Sequence, residues 1–134
     1  MSKFSIIPIT IGLSFSLGAM AEQNMSHDVY KAEKSRIENE YKVDKARCDS
    51  LAGNAKDICM AEVKGKEEVA EAELEARYKP SKENHYKARL AKVEADYKVA
   101  KERCDDLAGN AKEVCLKEAK AAEAAAKADA KREN

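Results

Sequence analysis

Along this chain the apolar residues fall in steps of three, four and seven, which is the period of a helix. From 86 to 107, Tyr86, Leu90, Val93, Tyr97, Ala100, Cys104 and Leu107 follow in alternating steps of four and three. That spacing sets all seven on one narrow stripe, as in helices that meet along a seam. From 29 to 52 the stripe is thinner: Ile37, Tyr41, Cys48 and Leu51 hold it, while Lys34 and Asp44 interrupt it. Two return arms come after these stretches. Residues 55–78 carry Ile58, Val63, Val69, Leu74 and Tyr78, whereas 111–132 carry Val114 and Leu116 and are then mostly Ala. Ala favours helix but has little area to bury, so the end of the last arm is expected to fray.

The outgoing and returning arms are joined by Leu-Ala-Gly-Asn at 51–54 and again at 107–110. Gly53 and Gly109 suit the left-handed residue that ends a helix. Asn54 and Asn110 suit the N-cap of the next one, with Asp57 and Glu113 three residues on as a capping box requires. The spacing therefore predicts αα-hairpins with bends at 52–54 and 108–110. One unbroken helix through each Gly is the competing reading, because an interior Gly costs only about 1 kcal/mol. Pro80 closes the first hairpin and Ser81 can cap the next helix, which makes 80–85 a hinge.

The two hairpins are copies. Across 30–64 against 86–120, 20 of 35 positions are identical, and every landmark shifts by 56 residues. One supersecondary unit is used twice. The fold class expected is all-α: two stapled αα-hairpins in tandem, extended or as a loose four-helix arrangement. The first hairpin takes 29–79 and the second 86–134 with its Ala/Lys-rich tail.

Residues 1–21 read as a signal peptide: Lys3, an apolar stretch from Phe4 to Leu17, and Ala19-Met20-Ala21 as cleavage pattern. Position 22 is Glu, so no lipid anchor is indicated, and a polar leader spans 22–28. No transmembrane anchor is expected once the signal is cleaved, and the location expected is periplasmic or secreted. Cleavage removes both Phe residues, leaving seven Val, five Leu, two Ile, two Met and five Tyr as the large apolar side chains. Such a chain cannot bury a large core. Its 24 basic and 25 acidic residues balance, which argues against nucleic acid as partner.

Export decides how the four cysteines read. Cys48 and Cys59 stand symmetrically about the first bend, as Cys104 and Cys115 do about the second, so an antiparallel hairpin brings each pair together. Of three pairings, the duplication favours Cys48–Cys59 with Cys104–Cys115, in keeping with an oxidising compartment. Ten residues between cysteines is not zinc spacing, and neither C-x-x-C nor C-x-x-C-H occurs. His27 and His85 are not repeat mates, so neither is a requirement of the unit. No nucleophile–base pair, Gly-rich phosphate loop or H-E-x-x-H is present, so no catalytic residue, metal ligand or cofactor is assigned.

The motif Tyr-Lys-x-x-Lys-x-x-Cys-x-x-Leu-x-Gly-Asn-Ala-Lys-x-x-Cys stands at 41–59 and 97–115, with Glu73 to Pro80 and 117–122 beside it. It resembles that of a group of small exported proteobacterial proteins often labelled cell-envelope biogenesis or TolA-like. The resemblance implies an exported helical protein of the envelope and no particular chemistry. The function expected is non-enzymatic: a structural or interaction module whose partner is an unknown protein or envelope component. The alternative is a carrier of a small ligand or divalent ion on acidic helical faces. Tyr86, Leu90, Val93, Tyr97 and Leu107 form the expected partner seam, packing on 58–78 or on another chain as an oligomer.

Overall fold

A computed structural model describes residues 25–133. The expected signal peptide and the start of the polar leader lie outside the described residues. Four helices and no strand occur within them: α1 (His27–Cys48), α2 (Gly53–Tyr78), α3 (Lys82–Cys104) and α4 (Gly109–Arg132). Ser26 starts α1, its hydroxyl accepting from the Val29 amide at 3.3 Å, so the helix begins inside the expected leader. Lys45 and Arg47 in the last turn of α1, and Lys101 and Arg103 in that of α3, suit the negative helix ends.

Both bends are real, and no helix runs through them. Gly53 and Gly109 have φ of 59° and 58°, a backbone that L side chains resist. They open the return helices instead of closing the outgoing ones, and the connections are 49–52 and 105–108. This corrects the expected capping. Ala52 and Ala108 hold the N-cap places with no side-chain bond, and Asn54 and Asn110 already lie in the first turn. From inside that turn an Asn side chain no longer faces the amides that a cap satisfies.

The link between hairpins is shorter than the hinge expected at 80–85. Ser81 caps α3 by accepting from the Asn84 amide at 3.0 Å, and the Asn84 side chain donates to the Lys79 carbonyl at 2.8 Å. Residues 82–85 are thus the first turn of α3. The last arm does not fray either: α4 runs to Arg132, and Ala130 is buried. Arg89 of α3 reaches across and donates to the Ala130 carbonyl from Nε and Nη2, at 3.3 and 3.2 Å. A cation on the last carbonyls supplies what the small Ala side chains do not.

Among the described residues each helix packs on the next in sequence, α1 on α2, α2 on α3 and α3 on α4, and on no other helix. The molecule is an open antiparallel layer with α1 and α4 at its edges, rather than a closed bundle. Its inner pairing, α2 on α3, depends on one residue. A Cβ placed on Gly65 would lie 2.8 Å from that of Ala95, so these backbones come closer than two Ala would allow. Among the described residues the buried apolar side chains are few: Ile37, Leu74, Ala76, Ala95, Ala130 and the half-cystines Cys48 and Cys104.

Two substitutions probe this packing. Leu74 is 1% exposed, and Leu74→Ala should cost about 3 kcal/mol, more than Leu90→Ala, because Leu90 is only half-buried. Gly65→Ala should lower the melting temperature even though Ala is the better helix former by about 1 kcal/mol, since the helices must part. Thermal unfolding followed by circular dichroism measures both. A melting temperature raised by Gly65→Ala would contradict the close approach.

Candidate functional site

The bend ends of the hairpins carry the densest repeated chemistry. Cys48 is joined to Cys59 and Cys104 to Cys115, with Cα–Cα distances of 5.5 and 5.6 Å. Cys48 and Cys104 are fully buried, so the staples lie under the bend and offer no free thiol. Each bend is also bridged by an ion pair, Lys56–Asp49 at 3.4 Å and Lys112–Asp105 at 2.9 Å. Leu51 and Leu107 are 43% and 44% exposed at the tips. Two disulfides are the mark of a chain that matures outside the reducing cytoplasm, and no helix among the described residues is long and apolar enough to cross a membrane.

The expected partner seam sits elsewhere than the sequence implied. Tyr97 lies beneath Lys120 of α4, with Nζ 5.2 Å from the ring centroid. Tyr86, Leu90, Val93 and Tyr97 all share the helical face of Cys104, which is bonded into α4. They are half-buried there, while Leu107 is exposed in the bend. The side of α3 turned to α2 is the opposite one, marked by Ala95. The stripe therefore packs within its own hairpin and not on 58–78. The reason is the staple: with Cys104 on the stripe, the disulfide fixes which way the stripe faces.

The weaker stripe of the first unit is repaired by polar partners. Asp44 accepts from Lys66 Nζ at 2.9 Å across the α1–α2 pair. The Lys66 hydrogen bond holds the Asp44 carboxyl below its ordinary range, and the same bond raises Lys66. The repeat mates of this pair are Ala100 and Ala122, so one unit uses an ion pair where the other uses two small side chains. Comparing 44 and 66 with 100 and 122 would have shown this from sequence. Tyr30 stacks on Tyr78 at 4.3 Å and donates to Glu75 at 3.1 Å, a bond that pushes its phenol up. Lys34, the other interruption, lines a shallow groove with Glu68, Glu71 and Glu75.

Asn54 does something the sequence did not suggest. Its Nδ2 donates to the Glu102 carbonyl of α3 at 2.8 Å, tying the two hairpins at the bend end. Beside it, Arg103 pairs with Glu62 at 2.9 Å, and further along Lys98 pairs with Glu68 at 2.9 Å. Between α2 and α3 runs an open groove of about 710 Å³, lined by Val69, Ala70, Val99 and Ala100 with charged rims. His27 and His85 are exposed and far apart in sequence on different helices. Among the described residues no three His, Cys, Asp or Glu side chains are grouped to hold a metal ion. Some acidic side chains are engaged by lysines, as with Glu123, which meets Lys127 at 2.8 Å and Lys120 at 3.5 Å.

Compared with known proteins, the chain matches no family model, and no curated protein or solved structure matches it significantly.

The Asp44–Lys66 pair makes a pH prediction. A carboxyl whose folded value is depressed adds stability above its unfolded value, about pH 4, and loses it as the pH falls through the folded value. Asp44→Asn should therefore lower the melting temperature at neutral pH and make no difference in strong acid. Paired melts across pH 2–7 measure this. An equal deficit at both ends would mean that the Asp44 charge is not what matters.

Proposed function

We propose that this is a non-enzymatic structural and interaction protein of the bacterial cell envelope, exported by the segment 1–21 and working in the periplasm. The observation that carries the reading is the architecture itself. A thin layer of four charged helices exposes long faces in place of an enclosed chamber, and its grooves lie open to solvent. Catalysis needs groups whose pKa values are shifted by a secluded pocket. Among the described residues the shifts come from surface ion pairs and one tyrosine–glutamate bond. Extended helical faces instead suit recognition of other helices.

The disulfides support an oxidising compartment, and the repeated cysteine motif resembles that of exported envelope proteins. An exported chain meets its oxidant only after crossing the inner membrane, so location and staples stand together. Fractionation of cells with thiol trapping tests both at once. The expected product is periplasmic, begins at Glu22, and carries no free thiol. A full-length cytoplasmic chain with four reactive thiols would overturn the reading.

A further inference from the structure

The α2–α3 pairing is the one place where the first unit mates with the second, and both mating surfaces exist twice. Adding 56 to the α2 residues that face α3 gives the outer face of α4. Subtracting 56 from the α3 residues that face α2 gives the outer face of α1. Both outer faces are bare in the layer. We propose that they mate with each other between two copies of this chain, α4 of one on α1 of the next, by the operation that sets α2 on α3.

Four observations at the bend end favour a second copy as occupant. First, the charges of the ion pair recur: the mates of Arg103 and Glu62 are Arg47 and Glu118, with Arg47 meeting Asp44 of its own helix at 3.3 Å in the single chain. Second, the tie survives: the mate of Asn54 is Asn110, which is exposed and makes no side-chain bond among the described residues, and its acceptor would be the Ala46 carbonyl. Third, Val43 is 55% exposed on α1, and its mate Val99 lines the α2–α3 groove. Fourth, Val114 is 46% exposed on α4; its mate Ile58 lies two turns before Gly65 on the same face of α2 and is half-buried.

The middle of the face is built differently. Where Gly65 meets Ala95 inside the chain, the outer faces carry Ala121 and Asn39. Neither backbone can approach as closely there, and Glu68, the partner of Lys98, is replaced by Ala124. The pairing between copies is thus tight at the bend end and parted along the helices, weaker than its internal model. Such a contact is head-to-tail, and repeating it adds units without closing a ring of two. It deepens the structural reading above by naming a partner, and it stands apart from the compartment, which fractionation tests.

Sedimentation velocity of the oxidised, exported chain over a wide concentration range decides the matter. Wild type should show reversible growth in mass that passes beyond the dimer. Arg47→Glu should weaken it by about tenfold, and adding Glu118→Arg to the same chain should restore it. Asn39→Ala with Ala121→Gly, both at exposed positions, should tighten it by about tenfold. Circular dichroism of each variant confirms that the helices are kept. A wild type that stays monomeric up to millimolar concentration, growth that stops at a dimer, or indifference to the charge reversal would overturn the proposal. A monomeric chain found in the periplasm would leave the envelope reading in place.

Discussion

Everything in this structure depends on how little apolar surface the chain has to bury. Among the described residues Ile37 and Leu74 are the only large aliphatic side chains that are buried, and a domain of this size cannot offset its chain entropy on that alone. The covalent link under each bend makes up the difference. By closing a short loop in the unfolded chain, a disulfide at this spacing contributes about 3 kcal/mol in the chain-entropy model. Two of them, one per hairpin, allow helices of Ala, Lys and Glu to pair along seams that would not otherwise persist.

The same constraint explains the polar devices that recur across the layer. Asp44 with Lys66, Arg103 with Glu62, and Arg89 on the Ala130 carbonyl each join neighbouring helices where apolar area is short. Surface ion pairs are worth little singly, so they select register more than they hold the fold. Gly65 acts by a different route, letting α2 and α3 come close enough for small side chains to pack. A layer of this kind offers faces, and at the bend end its two edges repeat residues that are already mated at its centre.

Much of this was legible in the sequence because the chain states its unit twice. The helical period, the left-handed glycines, the Ser81 cap and both disulfides follow from spacing and from the symmetry of the cysteines about each bend. Side-chain roles at the bend were harder to read. Asn54 looked like a cap, but the left-handed Gly53 starts the helix one residue early and frees the amide for Glu102. Periodicity identifies the stripe from Tyr86 as a face and not what it faces; Cys104 on that face turns it to α4 and not to 58–78. The Ala-rich tail was expected to fray because propensity ignores a long-range partner such as Arg89.

The central claim is that the staples stand in for a core. Urea unfolding of the exported chain, oxidised and then fully reduced, tests it most directly, with helicity and hydrogen exchange followed together. The account predicts that reduction shifts the midpoint sharply downward and removes exchange protection throughout both hairpins, from α1 to α4. A reduced chain that unfolds at the oxidised midpoint with its protection intact would show that packing alone holds the layer, and would contradict the account.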